Sequence, residues 1–406
     1  MNADEFTVRA ERLHTFIRTM TGQYPRRNIG GAGSRPAADH IAALMRTALG
    51  RGATVAEETF SCRPDGFLGW IKPAVLSYGL GGVLLWTGYL TAAGLALTIP
   101  GLLAVLRLIC YCPATDVFFP KRPGYNVVGV LESEEEVQRQ IVLCGHHDAA
   151  HIFNFLEYCP LAYPWLARTA IVFCLMAWLG TWLAVFKVAS FEFAAIAVGL
   201  GAVAILPLWF FVSSRITPGA GDNLAGTGLV LAAAEFYGEA ARSGQSLRHT
   251  RLIFLSCDGE ECGLAGSRAW IARHRVELSS VPTEAMVIDT IYAADGLALL
   301  ERDLNGLCPL NRALTARLRQ LAQEKGYSVR LAGLPLGGGA TDAAAFAWAG
   351  IPATCILDQN FDRITADWPY HTSRDTADKV SVAALARVLT VLVDYLRQRD
   401  KISRPV

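Results

Sequence analysis

The sequence predicts an α/β protein: a three-layer sandwich of helices on both faces of a largely parallel, mixed central sheet, plus about four transmembrane helices inserted as two hairpins. Three observations predict it. Short apolar runs of strand length alternate with helical patterns, as crossover connections require. Acidic and histidine residues stand just past the ends of those runs, where open α/β sheets build their sites. Uncharged stretches long enough to cross a bilayer interrupt the pattern.

Composition narrows the class. The 406 residues allow two ordinary domains or one large domain with insertions. A net charge of +1 argues against a nucleic-acid partner, which would call for a basic stripe. Mean hydropathy of +0.30 with 18% charged residues is too apolar for a wholly soluble chain, so a membrane portion is expected. The 10 cysteines follow no repeated metal-ligand spacing. The Cys110/Cys112 pair and the Cys257/Cys262 pair match neither a ribbon nor a finger, and reduced thiols are expected over a disulfide framework. The opening residues, MNADEFTVRAERLHTF, contain no early apolar run, so no cleavable signal peptide is expected.

In chain order, residues 4–50 read as two helices, one with an apolar stripe through Phe6, Leu13 and Ile17, the other over 40–49. The intervening GQYPRRNIGGAGSRP is loop chemistry, and 57–62 reads as a strand. Residues 73–106 are 34 positions without a charge. One straight helix of that length would be about 50 Å long against a hydrocarbon core of about 30 Å. Two helices turning near 87–94 fit better, with Lys72 and Arg107 snorkelling at the ends. A second pair covers 169–186, between Arg168 and Lys187, and 193–214, between Glu192 and Arg215. Trp165, Trp178, Trp182 and Trp209 suit an interface. Buried core helices are the alternative for both pairs.

Two hairpins return the chain to the side it left, so the polar segments share one compartment. Arg63, Lys72, Arg107, Lys121, Arg122, Arg168 and Arg215 lie near that side, whereas the opposite turns carry only Lys187, offset by Glu192. The positive-inside rule then puts the soluble part in the cytoplasm. The organisation read from this is a discontinuous polar domain (1–66, 113–160, 214–406), with hairpins at 67–112 and 161–213. The protein is therefore read as an integral, multi-pass membrane protein.

Between the hairpins, 126–131 and 141–144 read as strands, the second running into Gly145-His146-His147-Asp148. Residues 219–237 form a tight loop opening a helix. Next come a strand at 252–255, a helix over 267–274, and a strand at 285–288 ending in Asp289. An amphipathic helix over 311–325, a glycine loop and helix over 337–349, a strand at 354–357 and a helix over 382–398 complete the pattern.

The chain is organised around residues 252–267, LIFLSCDGEECGLAGS. Asp258, Glu260 and Glu261 at a strand end repel one another unless something positive sits among them. Each polar candidate also has an ordinary reading: acids favouring a helix N-terminus, Asp222 as a helix cap, Asp289 in a turn, His371 as a lone surface or core histidine. Their joint occurrence in this order favours a common site.

The stretches IVLCGHHDA, PGAGDNLAGTGLVLAAAEFY, LIFLSCDGEECGLAGS, VIDTI, GGGATDAAAFAWAGIPA and YHTSRDT resemble the di-zinc aminopeptidases of metallopeptidase family 28. Relatives of that family include glutamate carboxypeptidase, glutaminyl cyclases and non-catalytic receptor ectodomains. The opening YPRRNIGGAGSRPAADHIAALMRTALGRGATV is similar too. The resemblance covers roughly residues 5–60, 120–155 and 217–398 and leaves out the apolar spans.

The resemblance implies a zinc-exopeptidase-like fold and two zinc ions bridged by Asp222. His146 and Asp289 would complete one ion's ligands, Glu261 and His371 the other's. Asp148 would orient His146, Glu260 would be the general base acting on a metal-bridging hydroxide, and Tyr370 would help stabilise the oxyanion. His147 and Ala343 depart from the family pattern, which often has an aromatic residue and a histidine there. The expectation is a membrane-anchored metallo-aminopeptidase acting on peptides, with apolar or membrane-associated ones favoured by the bilayer anchor. A glutaminyl-cyclase-like acyltransferase and a non-catalytic receptor or scaffold are the rivals. The insertion between His146 and Asp222 requires its ends to lie close together. Substrate side-chain preference, aminopeptidase against dipeptidase or carboxypeptidase action, the native metal and oligomeric state stay open.

Overall fold

The computed structural model describes residues 3–359 and 364–401. Its strands are β1 (Thr54–Cys62), β2 (Arg122–Leu131), β3 (Arg139–His146), β4 (His151–Phe153), β5 (Val212–Ile216), β6 (Thr250–Cys257), β7 (Thr283–Asp289), β8 (Ala298–Asp303), β9 (Cys308–Pro309), β10 (Arg330–Gly333) and β11 (Ala353–Leu357). The main sheet runs β1-β2-β6-β3-β7-β11-β8-β10, with β9 beside β8. Its centre, β6-β3-β7-β11, is parallel. β2 and β8 flank that centre antiparallel, and β1 runs antiparallel to β2. The sheet is thus mixed around a parallel core.

Alternation along the strands makes the layers. On β3, Ile141 and Leu143 join the core formed with helices Ala3–Gln23, Ala225–Arg242 and Val382–Lys401. Val142 and Cys144 point the other way, toward Trp270 and Phe346 of the helices Ala265–Arg273 and Asp342–Trp348. The expected strands and helices are all present, most of them extended by a few residues. β8 and β10 were not legible: the first, ALLERD, ends in charge, and the second is four half-exposed or exposed residues long.

Four helices are long and apolar enough to cross a membrane: Gly66–Trp86, Leu90–Ile109, Pro160–Val185 and Phe191–Phe210. They pack as one bundle around Leu85, Leu97, Ala177 and Val198. Small residues bring the helices close, Gly81 against Leu97 and Gly94 against Trp182. The Tyr78 hydroxyl donates to Val198 O at 2.9 Å, and Trp178 Nε1 to Thr98 Oγ1 at 3.0 Å. The outward residues Leu76, Val83, Leu95, Val172 and Val203 are exposed, an apolar surface larger than a water-facing bundle would carry.

Two details differ from the sequence reading. Arg107 does not snorkel; it is buried and pairs with Asp116 at 2.9 Å. The last span is shorter than residues 193–214: its α-helix ends at Ile205, Pro207 lies in the short turn that follows, and residues 212–214 belong to β5.

β5 pairs with β4, His151 opposite Ile216, so the ends of the second insertion are clamped together. Strand direction fixes where both insertions leave the sheet. β1 runs the same way as β6 and β3, so the chain leaves β1 at Cys62 and β3 at His146 from one edge. That edge carries the carboxyl ends of all four central strands.

Candidate metal centre

The same edge gathers the polar candidates. His146 is the last residue of β3 and Asp289 the last of β7. After β6 ends at Cys257, Gly259 turns with φ of 73° and carries Glu260 and Glu261 over the edge. Asp222 stands in non-helical backbone just before the helix Ala225–Arg242, so it does not cap that helix. His371 arrives on a loop whose carbonyl accepts from Phe153 N at 2.9 Å. Close approach of β3 to that helix aligns His146 with Asp222: a Cβ on Gly145 would lie 2.6 Å from the Gly226 carbonyl carbon.

Asp222 is the hub. Its Oδ1 lies 3.3 Å from His146 Nε2 and its Oδ2 3.3 Å from His371 Nε2. Asp289 approaches His146 at 3.7 Å and Glu261 approaches His371 at 3.5 Å, while Glu260 stands 3.9 Å from His146. Three overlapping donor triads result, His146–Asp222–Asp289, Asp222–Glu261–His371 and His146–Glu260–Glu261; the first two share Asp222 and together use five side chains. Asp148 sits behind them. Its Oδ1 lies 3.3 Å from His146 Nδ1 and accepts from Glu260 N at 3.2 Å, while its Oδ2 accepts from Glu261 N at 3.2 Å. Tyr370 packs its ring on His371, 4.1 Å between centroids, and faces the same cavity. All eight residues singled out in the sequence converge here.

The donor set fits divalent cations. His146 Nε2 and Asp222 Oδ2 are buried and, among the described residues, make no hydrogen bond. Burying such groups without a partner is costly unless an ion takes their lone pairs. The charges point the same way. Burial pushes the Glu260 carboxyl well up, helped by Glu261 and Asp289 and opposed by His146. Burial likewise raises Glu261 to about 7 against the pull of His371. Asp222 is held low despite its burial, because two imidazoles face it. His371 rises to about 10 although burial opposes it, through Glu261 and Asp222. The carboxylates outnumber their positive partners, and this is the repulsion that zinc, a ligand of histidine and carboxylate, would relieve.

Several supports were invisible in the sequence. Asp375, fully buried, accepts from Gly221 N at 2.7 Å and Asp222 N at 3.2 Å and so fixes the hub. Arg27, also fully buried, donates Nε to His147 O at 3.0 Å and Nη2 to Pro218 O and Gly219 O at 2.7 and 3.0 Å. It ties the β3 terminus to the Asp222 loop; only its place in the YPRRN stretch hinted at this. Phe153, at the root of the second insertion, meets the His371 ring edge-on at 4.3 Å. Thr290 and His371 both adopt left-handed backbone, φ of 48° and 54°, a strain of about 1–3 kcal/mol each of the kind found at functional sites.

The two departures from the family pattern resolve differently. His147 packs, fully buried, with Nδ1 2.8 Å from Ser256 Oγ, and burial lowers it to about 4. Ala343 is buried in the helix Asp342–Trp348, and the neighbouring Thr341 faces the cavity instead. Cys144, Cys257 and Asp342 cluster one layer below, and burial raises both thiols.

Comparison with known proteins agrees with this geometry. Over nearly the whole chain the fold is similar to a glutaminyl cyclase from Porphyromonas gingivalis, with TM-score 0.57, 15% identity, and 96% of this chain and 98% of that one covered. It is similar to an aminopeptidase from Aneurinibacillus sp. strain AM-1 at TM-score 0.56 and 13% identity, covering 98% and 96%. It is also similar to a Zn-dependent exopeptidase from Parabacteroides distasonis at TM-score 0.55 and 11% identity, covering 95% and 97%. No curated protein matches the sequence. Residues 203–396, which hold Asp222, Glu260, Glu261, Asp289 and His371, match the profile of peptidase family M28.

Proposed function

We propose that the chain is a membrane-anchored zinc exopeptidase that binds two ions and removes N-terminal residues from peptides. The observation that carries this reading is the division of Asp222, one oxygen toward His146 and the other toward His371. A carboxylate shared in this way suits a pair of cations, His146 and Asp289 holding one, Glu261 and His371 the other. Bound zinc would supply Lewis-acid activation of water and of the scissile carbonyl.

The protein's own groups do the rest. Glu260, in neither of the two ligand sets that share Asp222, accepts a proton from the attacking water and delivers it to the departing amine nitrogen as the C–N bond breaks. Asp148 holds the His146 ring and the Glu260 and Glu261 backbone in one grip. Burial, with Asp222 and Glu261 nearby, keeps the Tyr370 hydroxyl protonated and able to donate to the carbonyl oxygen as it becomes negative. Among the described residues no lysine or arginine lines the cavity to pair with a substrate carboxylate. That favours an aminopeptidase over a carboxypeptidase.

The basic residues flanking the hairpins support a multi-pass chain with its catalytic portion on the cytoplasmic side. Glutaminyl cyclases share the fold, so the fold alone does not choose between the two chemistries; the doubled triad favours the peptidase. Elemental analysis of the purified protein should return two zinc per chain. Glu260→Gln should keep both and lose at least a hundredfold in aminoacyl-amide hydrolysis. One zinc with cyclisation of glutaminyl peptides would overturn the reading, as would full activity in the variant.

A further inference from the structure

The cavity over the metal centre does not stop at the polar edge. About 450 Å3 in volume, it has Asp222, Glu260, Glu261 and His371 on one wall and continues between the two hairpins. Its far walls are Pro100, Gly101 and Ala104 from one apolar helix and Leu166, Ala170 and Cys174 from another. Ile171, Leu175 and Val105 line it and are 40%, 56% and 50% exposed, so the cavity is open where these helices form its wall. The cleft therefore joins the candidate catalytic groups to the face that would meet lipid. Both insertions leave the sheet from the edge that carries the site, so the arrangement follows from the topology.

We propose that this cleft binds a single hydrocarbon chain on the leaving-amine side of the substrate, entering sideways from the bilayer. The preferred substrates are then membrane-partitioned long-chain aminoacyl amides. This deepens the aminopeptidase reading and rests on it. Three features select the occupant. An extended peptide brings an N–H and a C=O for every residue, and in a space walled by apolar and aromatic side chains these would go unpaired, whereas a hydrocarbon needs no partners. The lining runs from Glu260 at the metal centre to Cys174 in the bundle, so a hydrocarbon chain carried on the leaving group has a continuous wall to lie against. Among the described residues the wall holds no lysine or arginine, which disfavours a lipid with an anionic head group. Hydrolysis adds water across the amide: the carbonyl carbon gains the oxygen, the nitrogen takes the proton through Glu260, and an amino acid and an alkylamine leave.

The test uses full-length zinc-loaded protein in lipid nanodiscs and leucine n-alkylamides with chains of 2 to 14 carbons. Each methylene entering the cleft should raise kcat/KM by about fourfold until the cleft is full. Partition into lipid gives a similar trend, so a plugged cleft is the control. Gly101 lines the cleft, and no atom lies within 4 Å of where its Cβ would stand, so Gly101→Trp should fill the space without disturbing the bundle. The variant should lose the dependence of kcat/KM on chain length, whatever its rate on the two-carbon amide. An unchanged slope in Gly101→Trp overturns the proposal. Should the tryptophan prevent folding, Gly101→Leu makes the same comparison with a smaller plug. If wild-type protein hydrolyses no amide of any length, the aminopeptidase reading has failed, and calorimetric titration with decylamine decides the cleft separately. Binding at least tenfold tighter to wild type than to Gly101→Trp supports it, and equal binding overturns it.

Discussion

Replacing Asp148 by asparagine changes one atom and isolates the support behind the metal centre. Asp148 accepts from two backbone donors and stands beside a ring nitrogen: Oδ1 takes Glu260 N at 3.2 Å and lies 3.3 Å from His146 Nδ1, and Oδ2 takes Glu261 N at 3.2 Å. An asparagine in the same pocket has one acceptor oxygen. With its NH2 in place of Oδ2, it opposes the Glu261 N–H. Flipped, it opposes Glu260 N–H and the His146 ring, leaving that ring free to turn or to carry its proton on the nitrogen needed by the metal. Either orientation leaves at least one buried donor unpaired, at about 1–3 kcal/mol. Losing the partner that orients a ligating histidine weakens a metal site about 10- to 100-fold, so Asp148→Asn should bind zinc more weakly by about that factor. Competition against a fluorescent chelator measures this on detergent-solubilised protein. Thermal unfolding of the metal-free forms separates weakened binding from weakened folding. If the variant binds both ions within twofold of wild type, Asp148 does not position His146 and the assignment of these roles is mistaken.

Three further outcomes follow from contacts already described. Gly145→Ala places a Cβ 2.6 Å from Gly226, and overpacking of this kind should cost about 1–3 kcal/mol, seen as a lower melting temperature. Arg27→Met leaves the carbonyls of His147, Pro218 and Gly219 without their buried donor and should destabilise by about 3 kcal/mol. Arg27→Lys should recover only part of that, because an ammonium lacks the guanidinium fork. Zinc at a thousandfold above its dissociation constant should stabilise wild type by about 4 kcal/mol per site. Asp222→Ala should abolish most of that gain, since both proposed ligand sets use this residue; melting curves with zinc and with chelator check it.

The sequence was most informative where the chemistry is compact. His146 and Asp148 lie two apart at a strand end, and Glu260 and Glu261 are adjacent, so one short segment names several roles. It was silent on Asp375 and Arg27, whose partners are backbone groups far along the chain. Asp375 serves the amides of residues 221 and 222, and Arg27 the carbonyls of residues 147, 218 and 219. Backbone partners carry no residue signature, so only the fold discloses them. The edge strands escaped for another reason: a four-residue strand such as β10 holds too few side chains for alternation to register. Arg107 was misread because a charge at the end of an apolar run is compatible with snorkelling and with burial alike. Asp116, nine positions on, decides between them only once the chain is folded.

On the proposed membrane-anchored reading, the placement of the insertions ties the bilayer to the chemistry more firmly than their apolar composition does. A hairpin inserted at the opposite edge of the sheet would anchor the protein equally well and leave the metal centre facing water. Here both depart from the carboxyl-end edge, one after Cys62 and one after the short strand β4, which pairs with β5 and whose Phe153 packs on His371. A shift of the second hairpin would therefore move a histidine of the proposed metal site, and a ligand wedged between the hairpins would press on the same ring. In that arrangement occupancy of the proposed cleft would be felt at the proposed metal site, as the proposed membrane-borne substrates would require. A purely structural anchor would need no such contact.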